Sequence, residues 1–289
     1  MSDLRPRRSV LYMPAANERA LEKAKSIAAD AIIFDLEDAV APDAKESARA
    51  NAVAAASSGD YGNRELTIRC NGLDTPWGRD DLAAAAASGA ASVVIPKVGS
   101  VAYLDEVSAI LQGAGAPATM GIWAMIETPT AIFDVRAIAA HPRVGVLVMG
   151  TNDLAREVRS SLGAAGRHPL VPHLATALLG AREAGKVILD GVYNDVKNLE
   201  GFRAECVHGF EMGFDGKTLI HPDQVPVCNE VWAPSEADIE NARGLIAAFE
   251  AGIAEGKGVV TYNGRMIENL HVANAQRLLA VADAIAALG

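Results

Sequence analysis

The chain has 289 residues, half of them apolar, and a formal net charge of −10. The length suits one α/β barrel with an appendage, since such barrels commonly run to roughly 250 residues. The acidic balance offers no long-range attraction to nucleic acid or an anionic membrane surface, so an anionic small molecule would depend on local Arg and Lys.

The first strand-like run, Ser9–Met13, ends at Pro14, and a helix is expected over Asn17–Ala29 with Asn17 as its cap. Ala31–Phe34 ends at Asp35-Leu36-Glu37-Asp38 and is followed by an Ala-rich helix, Asp43–Ala56. Leu66–Ile68 ends at Arg69-Cys70-Asn71, and Val93–Ile95 at Pro96-Lys97, with helices expected over Asp80–Ala87 and Val101–Leu111. Gly121–Ile126 ends at Glu127, and Val144–Met149 at Gly150-Thr151-Asn152-Asp153, with Thr130–Ala140 helical between them. A helix over Leu174–Ala184 leads to Val187–Leu189, which ends at Asp190. A last helix, Val196–Ala204, precedes His208–Met212, read as the eighth strand, which runs into Gly213-Phe214-Asp215-Gly216-Lys217. Strands that alternate with helices and end on polar or charged groups are the footprint of a (β/α)8 TIM barrel, whose active site forms at the C-terminal strand ends.

After His221-Pro222 the rhythm changes. Two longer helices, Ser235–Ala254 and His271–Leu288, flank a hairpin turn at Tyr262-Asn263-Gly264. Residues 1–232 are therefore expected to form a barrel domain, and 233–289 a C-terminal helix–hairpin–helix lid or oligomerisation segment. No apolar run approaches the roughly 18 residues of a membrane span, and the polar start shows no signal-peptide core. Cys70, Cys206 and Cys228 lack C-x-x-C spacing, which reads as reduced thiols in a cytoplasmic protein.

Glu127 and Asp153 follow neighbouring strands, and two carboxylates converging at a barrel mouth make a hard oxygen site suited to Mg²⁺. The competing reading has Asp153 capping a helix and Glu127 pairing with a surface base. Asp35, Glu37 and Asp38 are placed to orient metal-bound waters, or to form a solvated loop. Arg69 is either a bidentate clamp on a substrate carboxylate or an ion pair with that acidic cluster. Lys97 and Lys217 are further strand-end cations, and nothing local argues for the depressed pKa that a Schiff-base role requires. The chain shows no His-x-x-x-His zinc helix, P-loop or G-x-S-x-G elbow.

Several segments in order carry a family resemblance: Arg8-Ser9-Val10-Leu11-Tyr12-Met13-Pro14-Ala15 with Arg19 and Lys23; Phe34-Asp35-Leu36-Glu37-Asp38; Ile68-Arg69-Cys70-Asn71-Gly72; Ile95-Pro96-Lys97; Ile126-Glu127-Thr128; Gly150-Thr151-Asn152-Asp153-Leu154; and Gly213-Phe214-Asp215-Gly216-Lys217 with Ile220-His221-Pro222. Together they resemble the citrate lyase β-subunit-like group of the HpcH/HpaI aldolases. The resemblance implies a Mg²⁺-dependent barrel enzyme, trimeric or hexameric, that makes or breaks a carbon–carbon bond next to a thioester. It makes Glu127 and Asp153 the metal ligands, Arg69 the clamp on a 2-oxo or 2-hydroxy acid, Glu37 and Asp38 holders of metal waters, and Arg19 and Lys23 neighbours of the CoA phosphates. Longer CoA lyases of this kind carry a lid with Met-Ile-Asp, where this chain reads Met266-Ile267-Glu268. Glu268 then becomes the proton-transfer group, with its carboxyl one methylene further out. The implied activity is cleavage of malyl-CoA, methylmalyl-CoA or citramalyl-CoA into an acyl-CoA and a 2-oxo acid. The alternatives are a malyl-CoA-type thioesterase, a citryl-thioester lyase subunit, or a non-catalytic binder of acyl-CoA or oxo acid.

Overall fold

Eight parallel strands close into a barrel in sequence order: β1 (Ser9–Pro14), β2 (Ala31–Asp35), β3 (Glu65–Arg69), β4 (Ser92–Ile95), β5 (Gly121–Ile126), β6 (Val144–Met149), β7 (Val187–Asp190) and β8 (Gly216–Leu219), which returns to β1. The computed structural model describes residues 5–162, 166–256 and 258–288. The crossovers carry α1 (Glu18–Ala24), α2 (Lys45–Ser57), α3 (Gly78–Ala86), α4 (Val101–Gly113), α5 (Pro129–Ala140), α6 (Thr151–Glu157), α7 (Val171–Glu183) and α8 (Leu199–Met212). A further helix, α9 (Gln224–Val231), follows β8. Side chains of Asn17, Ser100, Thr128 and Asn198 accept backbone N–H bonds at the starts of α1, α4, α5 and α8, satisfying donors that a helix terminus leaves open.

Alternation along the strands sorts side chains into the barrel or toward the helices. The interior is filled by Val10, Ala31, Ile33, Val94, Trp123, Met125, Val146, Val148 and Leu189, with Tyr12 packed against them. The register aligns Pro14 with Asp35 and Asp35 with Arg69, so the inward row reaches the mouth as polar residues above an apolar floor. The opposite end is closed by forked ion pairs. Arg7 donates to Glu65 at 2.6 and 3.0 Å, and Arg8 to Asp30 at 2.9 and 2.8 Å.

The eighth strand is not His208–Met212. Those residues are the last turns of α8, which ends at Gly213 in the left-handed conformation (φ +102°), and the strand is Gly216–Leu219. Gly209 and the alternating His-Gly-Phe-Glu-Met pattern imitate a short strand. In the fold Gly209 lets the helix approach the barrel wall, since a Cβ there would lie 2.7 Å from Asp190 Oδ2. Other expected boundaries shift as well: among them, α1 stops at Ala24, α7 begins at Val171, and the eighth crossover helix runs from Leu199 to Met212.

This relocation removes Lys217 from the mouth. It sits inside β8, fully buried, with Nζ 2.9 Å from Asp190 Oδ2 and 2.8 Å from Glu205 Oε1. Arg167 pairs with the other Asp190 oxygen. Burial opposes ionisation of both partners. Lys217 and Arg167 nevertheless hold Asp190 below the usual carboxylate range, and Asp190 and Glu205 hold the Lys217 ammonium above its ordinary value. A lysine so held is a wall strut between β7, β8 and α8, not an amine nucleophile.

Trp232 and the residues after it form a second compact unit, distinct from Arg7–Val231. It contains α10 (Glu236–Ala254), the antiparallel pair β9 (Val260–Tyr262) and β10 (Arg265–Ile267), and α11 (Asn269–Ala286). Ser235 and Asp238 form a reciprocal capping box at α10. Asn263 (φ 48°) and Gly264 (φ 74°) make the two-residue turn, whose positive φ values match the twist of a hairpin. The hairpin lies on α10 where that helix has Gly244 and Gly252; a Cβ at either would overlap Tyr262 or Val260.

Replacing Lys217 by Met should strand part of a buried charge network and cost roughly 3–5 kcal/mol in urea unfolding at neutral pH. The lowered Asp190 pKa contributes stability that is present above the unfolded carboxylate value, about 3.9, and is lost as pH falls through the folded value. The gap between wild type and Lys217→Met should therefore narrow below about pH 4. Equal gaps at pH 7 and pH 3 would show that the strut is not electrostatic.

Candidate active site at the barrel mouth

A cavity of about 350 Å³ opens at the C-terminal strand ends. Its lining combines polar residues, Asp35, Asp38, Arg69, Glu127 and Asp153, with apolar ones, Met125, Met149, Val192 and Ile220. Tyr12 and Thr218 also line it. The inward parity of β1, β2, β3 and β5 delivers Tyr12, Asp35, Arg69 and Glu127 from different strands to one space.

Arg69 is the hub. Its Nε and Nη2 donate to the two oxygens of Asp35 at 2.7 and 2.6 Å, while Nη1 lies 2.7 Å from Glu37 and 3.4 Å from Asp38. Of the two readings of Arg69, the ion pair with the acidic cluster is the arrangement present, and each of its three nitrogens faces a carboxylate. Its guanidinium also lies 4.8 Å from the centre of the Tyr12 ring. Asp35 in turn accepts the N–H groups of Glu37 and Ala39, which folds the acidic loop around the pair. Burial pushes Glu37 up to about 8 against the pull of Arg69, helped by repulsion from Asp38, Glu127 and Asp35.

Glu127 is 2 % exposed. Burial, against the Lys97 N–H and with Asp153 nearby, pushes its carboxyl up to about 7. Its Oε1 accepts the backbone N–H of Lys97 at 2.7 Å. Lys97 is a non-glycine residue in the left-handed region (φ 48°), a conformation that is costly and turns its amide inward. The Lys97 side chain is exposed and acts on Glu127 only through its charge, while the direct bond comes from the main chain. Gly150 adjoins Glu127 on the other side, where any Cβ would overlap the carboxylate. Asp153 lies in the first turn of α6, and its Oδ1 is 2.6 Å from Nη2 of the exposed Arg156.

Among the described residues no three of His, Cys, Asp and Glu converge as a metal cage. Mg²⁺ needs none, because it typically takes one or two carboxylates and completes its shell with waters and ligand oxygens. Glu127 and Asp153 face one cavity and repel each other enough to perturb Glu127, which is the environment a divalent cation relieves. The donor set fits that ion, with Glu37 and Asp38 close by.

Arg19 and Lys23 lie exposed on α1 and do not line this cavity. Glu268 belongs to the C-terminal unit, where it is exposed at the start of α11 and its N–H donates to His271 Nδ1 at 3.0 Å. Residue-type reasoning passed over Tyr12 and Gly150 and the role of the Lys97 amide. Strand parity would have reached Tyr12, which is two residues before Pro14 on the inward side of β1. No side-chain signal marks a main-chain donor.

The family model described as HpcH/HpaI aldolase/citrate lyase matches residues 8–222. A (3S)-malyl-CoA thioesterase of Cereibacter sphaeroides (strain ATCC 17025 / ATH 2.4.3) is 50 % identical over 284 residues, covering 98 % of this chain and 97 % of that protein. An L-malyl-CoA/beta-methylmalyl-CoA lyase of Cereibacter sphaeroides (strain ATCC 17029 / ATH 2.4.9) is 36 % identical over 307 residues, covering 98 % and 96 %. The crystal structure of protein CitE from Mycobacterium tuberculosis in complex with magnesium, acetoacetate and coenzyme A superposes with a TM-score of 0.78 at 28 % identity, covering 95 % of this chain and 97 % of that one. With a closed barrel, a mouth lined by the family's segments, and a match over most of its length, the chain belongs to the HpcH/HpaI aldolase/citrate lyase family.

Proposed function

We propose that this chain is a Mg²⁺-dependent enzyme that hydrolyses the thioester of malyl-CoA or a close 3-hydroxy-3-carboxyacyl-CoA. The observation that carries the choice of hydrolysis is the 50 % identity, over 98 % of the chain, to a (3S)-malyl-CoA thioesterase. The motif reading alone favoured carbon–carbon scission, and that remains the second reading. It is supported by the 36 % identity to an L-malyl-CoA/beta-methylmalyl-CoA lyase and by the lid-like Met266-Ile267-Glu268. Both use the same groups, and they differ in whether water attacks the thioester carbon or the bond between the carbinol and α-carbons breaks.

Glu127 and Asp153 would hold Mg²⁺, which supplies Lewis acidity to the oxygens of the acid portion. The Lys97 N–H and Gly150 keep Glu127 aimed into the cavity. Glu37 and Asp38 would accept hydrogen bonds from waters at the mouth. Arg69 supplies fixed positive charge beside the bound anion, and its Nη1 contact to Glu37 is the one that a substrate carboxylate can replace without breaking the Asp35 fork. Met125, Met149, Val192 and Ile220 give the carbon skeleton an apolar wall. In hydrolysis a water proton leaves as the C–O bond forms, and the departing coenzyme A thiolate takes up a proton as C–S breaks.

Residues 233–289 would act as a lid, on the site of a neighbouring subunit in a trimer or hexamer, with Glu268 as the proton-transfer group. Arg19 and Lys23, exposed on α1, would meet the CoA phosphates.

Incubation with malyl-CoA and Mg²⁺ should release malate and free coenzyme A thiol in equal amounts, read by mass spectrometry and a thiol reagent. Stoichiometric acetyl-CoA and glyoxylate would establish the lyase reading instead. Glu127→Gln and Asp153→Asn should each lower turnover by roughly a thousandfold or more with the fold retained. EDTA should do the same to wild type, and full activity in metal-stripped protein would overturn the metal assignment. Glu268→Gln should slow turnover by about 10²–10⁴-fold while calorimetric Mg²⁺ binding stays unchanged. A wild-type rate in that variant would place the proton-transfer group elsewhere.

A further inference from the structure

Among its side chains the cavity is rich in groups that accept hydrogen bonds and poor in free donors. The Arg69 nitrogens all face carboxylates. The Asn152 amide is paired with Asn194 at 3.1 and 2.7 Å, and the Thr218 hydroxyl donates to the Asp190 carbonyl at 3.1 Å. The Thr151 hydroxyl, packed beside Gly191, has no hydrogen-bond partner among the described residues. Tyr12 shares the open donor of Thr151 and is in addition held in direction by its surroundings. Its ring is anchored on the apolar barrel interior and under the Arg69 guanidinium, so its direction is set from two sides. Among the described residues its hydroxyl has no hydrogen-bond partner, yet it is not one of the buried polar atoms left unsatisfied, which means that it reaches the cavity. A phenol held rigidly at the floor of an acid-lined cavity, with its donor uncommitted, is built to meet an oxygen that is not part of the protein.

We propose that the Tyr12 hydroxyl is a substrate-binding and specificity group, which donates a hydrogen bond from the cavity floor to an oxygen of the substrate's acid portion. This rests on the reading of the cavity as the site for that acid. The hydroxyl rewards an oxygen at that depth and leaves a hydrogen or methyl there unmatched, so it selects for the oxygenated end of the ligand over a plain acyl chain. Coenzyme A, held by other groups, is unaffected.

Tyr12→Phe isolates the claim, because it keeps the ring beneath Arg69 and removes only the hydroxyl. With Mg²⁺ saturating, malate affinity, free coenzyme A affinity and the kcat and KM for malyl-CoA are measured in wild type and variant. Loss of a hydrogen bond to a charged oxygen should weaken malate binding and lower kcat/KM by about tenfold to a hundredfold. Coenzyme A affinity and the thermal midpoint should stay the same. Tyr12→Leu, which also removes the stack on Arg69, should lose more. Wild-type malate affinity and kcat/KM in Tyr12→Phe would overturn the proposal and leave Tyr12 as a ring that packs on Arg69. A wild-type protein that neither binds malate nor turns over malyl-CoA would instead overturn the reading of the site, and the role of Tyr12 with it.

Discussion

The fork between Arg69 and Asp35 is the constraint around which the mouth is arranged. Two parallel charge-assisted bonds of 2.7 and 2.6 Å join the ends of adjacent strands, both nearly out of water. A cation so placed cannot lose its proton, so its charge is a fixed property of the barrel. Asp35 is saturated by it and by the amides of Glu37 and Ala39, which curl the following loop into the mouth. Tyr12 takes its tilt from the face of the same guanidinium. Burial first, and then crowding among the remaining carboxylates, pushes Glu37 and Glu127 above the usual carboxylate range.

The barrel carries a second buried ionic centre that obeys the same chemistry for a different end. Asp190 and Lys217 face outward from β7 and β8 and meet Glu205 of α8 and Arg167, which precedes α7, and the two cations there are neutralised locally instead of being offered to a ligand. Parity decides which centre is which. A residue displaced by one position along its strand moves from the cavity to the wall. The apparent strand-end lysine in Gly-Phe-Asp-Gly-Lys is therefore a structural member, and no amount of local charge makes it reactive from that side.

Much of this architecture was legible in the sequence because the strands are short apolar runs with abrupt polar ends. Gly121–Ile126 and Val144–Met149 were bounded correctly, since their neighbours change polarity in one step. Asn263-Gly264 announced its turn because few other pairs tolerate two positive φ values in succession. The eighth strand was misread because it is only Gly-Lys-Thr-Leu, with a lysine at its second position, and pairing to β1 and β7 outweighs that weak local preference. At the site, the charged residues Arg69, Glu127 and Asp153 were found from their places at strand ends. The groups that hold them in position were not. A glycine that leaves room, a phenol inside an apolar strand, and an amide in an unusual conformation carry no charge by which to be noticed.

The amide at Lys97 has a consequence for how the site withstands change. A carboxylate held by a side-chain donor can lose its partner to many single substitutions, whereas the N–H of residue 97 persists through almost any exchange of its side chain. Proline alone would delete that donor, and its ring would also forbid the positive φ found here. The bond to Glu127 thus rests on the path of the main chain after β4, and a change of side chain at this position alters the charge near Glu127 without removing the donor.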